Sequence, residues 1–233
     1  MNLLALDTST ERAAIALGVA TGQVYEATTA ASRRHGRDLI PRVSALLAEG
    51  GLRAFDLDIV AVGLGPGSYT GLRVGVTAAK TLAYVTGAVL LGLDSLQAVG
   101  RNAPPEVLRV TVLGDAQRGD VAVAELFRPA AGAPLRPLGE SRLEPLAAWL
   151  DRLEPGIFVL GPGLESPRIR AAMPAGLATG DPALNSPQGR HLLAMAREVF
   201  DSGQRENPWL IEPRYLRRSA AEEQWTGSPA SHD

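Results

Sequence analysis

Two copies of one pattern constrain the fold of this 233-residue chain more than any other feature. In the first copy, an apolar run ends at Asp7, and a later apolar run leads into Gly65-Pro66-Gly67. In the second, a run ends at Asp115 and a later one leads into Gly161-Pro162-Gly163. Because repetition of a supersecondary pattern indicates internal duplication, the sequence predicts two α/β lobes. The second copy is shorter, which predicts a reduced second lobe.

Apolar periodicity divides the first copy into three strands, then helix, strand, helix, strand and helix. The strands are predicted at 2–7, 12–19, 23–29, 59–64 and 89–93, and the helices at about 36–49, 70–86 and 95–99. This order is that of the ribonuclease-H-like core found in actin-like, Hsp70-like and sugar-kinase-like proteins. We therefore predict a duplicated, two-lobed α/β fold of this class.

The second copy predicts strands at 107–114, 121–127, 135–141 and 156–160, and helices at 144–153, 168–173 and 188–202. An extended C-terminal arm follows at 207–218. The predicted division is a first lobe at 1–104, a smaller second lobe with the arm at 105–218, and a disordered polar tail at 219–233.

Composition narrows the possible functions. Hydrophobic residues make up 45% of the chain, which supplies a packed core. The chain has no cysteine, which excludes disulfides, thiol nucleophiles and thiolate metal sites. A net charge of −2 gives no overall attraction to nucleic acid, so we expect any RNA contact to come from a local patch or through a partner. The apolar N-terminal run stops at Asp7, too short for a membrane span, and we expect a cytoplasmic protein with no membrane partner.

The stretch 59–75 leads from a strand through a glycine turn into a helix. Ser68 or Thr70 can cap that helix, and free amides at a helix N-terminus can bind an anion. In this fold class the carboxylate that ends the first strand faces nucleotide phosphates or their metal. The candidate nucleotide-binding residues are therefore Asp7, Thr8, Ser9, Gly65, Gly67, Ser68 and Asp115. The alternative is a tight turn whose small residues serve packing.

The sequence lacks the motifs of three kinds of catalytic site. Lys80 lies too far past the last glycine for a P-loop, and Ser68 lacks the Gly-x-Ser-x-Gly frame of a nucleophile. His35 is followed one turn later by Leu39, where a metal-binding helix would carry a second His. We predict no catalytic residue and no metal site. An ATPase or phosphotransferase using Asp7 and Asp115 remains an alternative, and a peptidase using Ser68 a remote one.

The helix at 70–86 has small residues around much of its surface, which permits close approach by a partner helix. Internal burial is the alternative. The predicted partner interface comprises His35, Leu39, Gly71, Val74, Gly75, Ala78, Ala79 and Leu82. The same surface could form a homodimer when no partner is present.

The chain resembles the TsaB (YeaZ) family in several separate motifs. The most specific is Gly65-Pro66-Gly67-Ser68-Tyr69-Thr70-Gly71-Leu72-Arg73-Val74-Gly75. Others are Leu4-Ala5-Leu6-Asp7-Thr8-Ser9-Thr10, His35 before Leu39-Ile40-Pro41, Gly92-Leu93-Asp94-Ser95-Leu96 and Pro213-Arg214-Tyr215-Leu216-Arg217. Asp115-Ala116-Gln117-Arg118-Gly119-Asp120-Val121 is similar to the family's Asp-Ala-Arg-x-Gly-Glu-Val turn but has Gln117 where an Arg is usual.

The resemblance implies a non-catalytic subunit in the synthesis of threonylcarbamoyladenosine at position 37 of tRNA. A paralogue, TsaD, would carry the catalytic metal and bind this chain through the small-residue helices, and TsaE, an ATPase, would join the assembly. The resemblance also implies ATP or ADP shared at the junction with TsaD, with no cofactor bound by this chain alone.

Overall fold

The computed structural model of the protein describes residues 1–29, 35–205 and 207–216, and for His35 it describes the backbone alone. The predicted tail at 219–233 lies outside the described residues, as do Arg217 and Arg218 at the end of the predicted arm.

The first sheet has five strands: β1 (Leu3–Asp7), β2 (Ala14–Gly18), β3 (Val24–Thr28), β4 (Ile59–Gly63) and β5 (Val89–Leu93). Their order is β3-β2-β1-β4-β5. The first three strands pair antiparallel, whereas β1, β4 and β5 pair parallel. Every residue of β1 and β4 is buried, as expected for parallel strands covered on both faces. The predicted strands of the first lobe are confirmed.

The second sheet repeats this topology. Its strands are β6 (Arg109–Asp115), β7 (Asp120–Phe127), β8 (Arg136–Pro137), β9 (Arg142–Pro145) and β10 (Phe158–Leu160). The order β10-β6-β7-β8, with β9 also on β7, matches β4-β1-β2-β3. Where β5 would lie beside β10, the described residues contain only a single parallel bridge, between Val159 and Thr179. The predicted duplicated fold with a reduced second lobe is therefore confirmed.

One predicted strand is wrong. Residues 135–141 do not form a continuous strand, because pairing with β7 stops at β8 and resumes only at β9. Pro137 has no amide hydrogen to donate to a ladder, and Gly139 follows two residues later, so the segment bends away between the two short strands.

The described residues form six α-helices, which cover the sheets: α1 (His35–Glu49), α2 (Tyr69–Thr86), α3 (Ser95–Gly100), α4 (Leu146–Asp151), α5 (Pro167–Ala172) and α6 (Gly189–Asp201). Helices α1 and α2 pack on one face of the first sheet, against β1 and β4 residues such as Leu6 and Val62. The opposite face is covered by α6, where Leu192 and Ala196 pack on Ala5 and Ala61. This alternation follows from the two-residue period of a strand. None of the described helices is long and apolar enough to cross a membrane.

The predicted division of the chain needs a correction at its C-terminal end. Residues 105–218 were expected to form the second lobe together with the arm, but α6, which belongs to this range, packs on the first sheet. Ile211 of the arm is only 2% exposed and joins the core beneath α1 and α2. The physical reason is burial, because α1 and α2 leave the second face of the first sheet for α6 to cover.

Candidate functional site

An open cleft of about 1810 Å³ lies between the two lobes. It is lined by the start of α2, the turn after β1, the end of β6, the segment before α6 and the arm. Four of the seven predicted nucleotide-binding residues line it, namely Ser9, Gly67, Ser68 and Asp115. The other three, Asp7, Thr8 and Gly65, lie behind its wall.

Asp7 is fully buried, and both of its carboxylate oxygens accept hydrogen bonds from the chain itself. Oδ1 accepts from the Ser9 amide at 2.7 Å, and Oδ2 from the Ser95 hydroxyl at 2.6 Å. The Ser95 oxygen in turn accepts from the Gly65 amide at 3.0 Å. A Cβ on Gly63 would lie 1.8 Å from Asp7 Oδ2, so the carboxylate packs directly on the β4 backbone. Through these contacts, Asp7 links the end of β1 to the residues that follow β4 and β5.

The glycine turn is likewise held by hydrogen bonds within the chain. Ser68 caps α2 by accepting from the Gly71 amide at 3.2 Å, which confirms capping by Ser68. The Ser68 amide donates to the Ser9 carbonyl at 2.7 Å, and the Thr8 hydroxyl donates to the Gly71 carbonyl at 2.7 Å. A phosphate at this turn would need donors that are free. The amides of Gly65, Ser68 and Gly71 all donate within the chain, so these three amides are not available to a phosphate at the turn.

Asp115 ends β6 as Asp7 ends β1, but it lies at the cleft surface. Its Oδ1 accepts from Arg168 at 2.7 Å and from the Gln117 amide at 2.9 Å. Burial raises the pKa of Asp115, but the Ser166 hydroxyl, the Gln117 amide and Arg168 together outweigh it and hold the pKa below its usual range. The carboxylate is ionised and already paired with a cation. Within the described residues, no group of three or more His, Asp or Glu side chains could hold a metal ion.

The predicted partner interface divides into two sets. Leu39, Gly71, Gly75 and Ala79 are buried inside the chain and present no surface in this structure. Three others, Val74, Ala78 and Leu82, are half-buried at the edge of the core, and the His35 side chain is not described. The exposed residues of α2 are instead ones that sequence reasoning did not select for the interface: Tyr69, Thr70, Arg73, Thr77, Thr81, Tyr84 and Val85. For the half-buried set, the interface stays a prediction.

The arm lies along this exposed side of α2, which sequence reasoning missed. Arg73 donates to the hydroxyl of Tyr215 at 3.0 Å and to that of Tyr69, and the two tyrosine rings stack at 4.7 Å. Further along α2, Lys80 donates to the Trp209 carbonyl at 3.2 Å. The only signal in the sequence was the mixture of aromatic and basic residues in the arm.

The arm also approaches a buried carboxylate at the junction of the lobes. Asp94 caps α3 by accepting from the Gln97 amide at 3.0 Å, and Arg214 lies 3.9 Å from its other oxygen. Burial raises the pKa of Asp94, and the Gln97 amide and Arg214 offset only part of that effect. Asp94 therefore acts as a helix cap beneath the arm.

Comparison with known proteins identifies the family. The family model for TsaD, described as tRNA N6-adenosine threonylcarbamoyltransferase, matches residues 27–135. The chain is 30% identical over 234 residues to the tRNA threonylcarbamoyladenosine biosynthesis protein TsaB of Bacillus subtilis, covering 98% of this chain and 99% of that protein. The chain belongs to the TsaB family. The TsaB protein of Escherichia coli is 29% identical to this family member and covers 95% of it, with 96% of the Escherichia coli protein matched.

A solved structure has the same fold over nearly the whole length of the chain. YeaZ from Pseudomonas aeruginosa superimposes on this TsaB-family chain with a TM-score of 0.78 and 27% identity, covering 92% of this chain and 99% of that one. The resemblance noted in the sequence motifs is thus confirmed over both lobes.

Proposed function

We propose that this TsaB-family chain is a non-catalytic accessory subunit in the synthesis of threonylcarbamoyladenosine in tRNA. Its full-length relatives in Bacillus subtilis and Escherichia coli carry the name of that biosynthesis. The observation that supports the non-catalytic assignment is that the Asp7 carboxylate is buried and hydrogen-bonded within the chain. A carboxylate that is 0% exposed and accepts from Ser9 and Ser95 has no free oxygen facing the cleft.

We further propose that the partner is a TsaD-like catalytic subunit, docked on the first lobe through α1 and α2. The half-buried residues Val74, Ala78 and Leu82 lie at the rim of the α1–α2 core, where an apposed helix can approach closely. A TsaE-like ATPase would join this pair, and tRNA would be bound through the catalytic subunit.

Co-purification of the chain with its cognate catalytic subunit tests this docking. Ala78→Glu places a carboxylate on the proposed interface and should weaken the complex at least ~10-fold, because an unpaired charge would be desolvated there. Leu138→Glu, at an exposed position of the second lobe, is the matched control and should bind normally. Thermal unfolding of both variants checks that the fold is intact. Failure of the unmodified chain to bind, or normal binding by Ala78→Glu, would refute the proposed docking.

Nucleotide is proposed as a ligand of the assembled complex. The chain contributes cleft surface at Ser9, Gly67 and Asp115, but the amides of Gly65, Ser68 and Gly71 already donate within the chain. Titration calorimetry should therefore detect ATP or ADP binding to the complex and none to the isolated chain. The rival ATPase function predicts turnover by the purified chain that Asp7→Asn abolishes, and such turnover would overturn the proposal.

A further inference from the structure

An apolar patch extends from the C-terminal end of α2 onto the arm. It comprises Tyr84 and Val85 of α2 with Trp209 and Leu210 of the arm, and we call it the Trp209 patch. Their exposed fractions are 76%, 55%, 75% and 76%. The Tyr84 and Trp209 rings meet edge to face at 5.9 Å, which joins the helix part of the patch to the arm part. Clustered large apolar side chains at this level of exposure mark interaction sites.

Buried contacts and hydrogen bonds fix the arm on both sides of the Trp209 patch. On its C-terminal side, Ile211 is buried in the core of the first lobe and the Arg214 amide donates to the Leu64 carbonyl at 2.8 Å. In the middle, Lys80 fixes the Trp209 carbonyl, and the Trp209 amide donates to Asn207 Oδ1 at 3.0 Å. Because these contacts fix the backbone at Trp209, ordering of the arm costs little conformational entropy on binding.

Charge indicates which kind of partner fits. Helix α2 carries Arg73 and Lys80 and no acidic residue, whereas in the described arm Glu212 balances Arg214, which also lies 3.9 Å from Asp94. Arg73 and Lys80 therefore give this side of the helix a net positive charge. In a two-fold pairing of identical surfaces each patch would meet its own copy, so these cations would approach cations. A different subunit with carboxylates around an apolar surface avoids that repulsion.

We propose that the Trp209 patch is a second part of the docking surface for the TsaD-like catalytic subunit, binding an apolar area of that subunit that is rimmed by carboxylates. This inference rests on the proposed function, since it assigns the arm to the same partner as α1 and α2. The arm is then a component of the interface, and Trp209 is its anchor.

Biolayer interferometry between this chain and its cognate catalytic subunit tests the proposal. Leu210→Ser should weaken binding about 5-fold and Trp209→Ala about 30-fold or more, because a buried aromatic anchor dominates interface energy. Leu138→Ser, at a position 57% exposed on the second lobe, is the control and should change binding less than about 2-fold. Raising NaCl from about 50 mM to about 500 mM should weaken binding by the unmodified chain, since the charges attract.

The outcomes separate this inference from the proposed function. If the unmodified chain does not bind the catalytic subunit, the proposed function itself fails. If Ala78→Glu abolishes binding but both Trp209→Ala and Leu210→Ser bind like the control, the arm inference is overturned while the docking through α2 stands. Analytical ultracentrifugation of the chain alone supplies the remaining test. A dimer that both arm variants dissociate, with the complex unaffected, would assign the patch to a second copy and overturn the proposal.

Discussion

The contact between Thr8 and α2 makes a sharp prediction about Gly71. A Cβ added at Gly71 would lie 2.0 Å from the Thr8 carbonyl oxygen, a distance at which the backbone must move. The Thr8 segment cannot move without cost, because the Thr8 hydroxyl donates to the Gly71 carbonyl and the Ser9 carbonyl accepts from Ser68. The substitution Gly71→Ala therefore strains the point where β1 meets α2.

The magnitude follows from three contributions. Overpacking against backbone costs up to about 3 kcal/mol. The lost hydrogen bond between Thr8 and Gly71 adds about 1 kcal/mol. Alanine gains about 1 kcal/mol over glycine in helix propensity, which opposes these costs. The free energy of unfolding should fall by about 2–3 kcal/mol, which for a chain of this size corresponds to a Tm lower by roughly 5–10 °C.

Differential scanning calorimetry measures this change, with Gly139→Ala as the matched control. Gly139 is exposed and a Cβ there would meet nothing within 4 Å, so its substitution should leave Tm almost unchanged. An unchanged Tm for Gly71→Ala would refute the packing of Thr8 on α2. If that variant also lost binding to the catalytic subunit, Gly71 would belong to the partner surface and not to the core.

Three further predictions concern α6 and the second lobe. Glu26→Gln should lower the free energy of unfolding by about 0.5–1 kcal/mol in urea titrations, because it removes the negative charge that Glu26 Oε1 places 2.7 Å from the Arg190 amide at the start of α6. Burial, with Arg190 nearby, lowers the pKa of His191 to about 4, so only the unfolded chain gains its proton between pH 6.5 and that value. The free energy of unfolding should therefore decrease as the pH is lowered through this range, and it should decrease less in His191→Gln. Trp149→Ala, at a position 1% exposed, should cost about 3–5 kcal/mol by the same titration.

The controls for these predictions use similar positions without the contact. Glu11→Gln, on an exposed residue that lines the cleft, should leave stability unchanged where Glu26→Gln lowers it. Equal pH dependence in the unmodified chain and in His191→Gln would contradict the burial of that imidazole. A small effect of Trp149→Ala would mean that the second lobe does not depend on its core.

The fold could be predicted from the sequence largely because its determinants are local. Apolar runs located the strands of the first sheet and β6, β7 and β10 of the second, and Ser68 marked the start of α2, which the structure confirms by its hydrogen bond from the Gly71 amide. The position of α6 could not be predicted in this way. Its apolar stripe shows that one face is buried but does not reveal which sheet face lies beneath it.

Four of the seven candidate nucleotide-binding residues line the cleft, but the sequence does not show which groups they contact. Glycines at 67 and 71 indicate close backbone approach, and a nucleotide phosphate and a neighbouring chain segment give the same signal. In the structure the approaching group is the chain's own segment at Thr8 and Ser9. Only the tertiary structure distinguishes these cases, because the turn after β1 and the start of α2 are far apart in sequence.

The small residues of α2 and the arm together determine where a partner can bind. Gly71, Gly75 and Ala79 are buried in the chain's own core and present no surface to a partner in this structure. The arm occupies the side of α2 that bears Arg73 and Lys80. A partner that reaches this side of α2 must therefore contact the arm as well, and shape complementarity there depends on both segments. This is why we expect substitutions in the arm, which is remote from α2 in sequence, to change affinity for the same subunit as substitutions in α2.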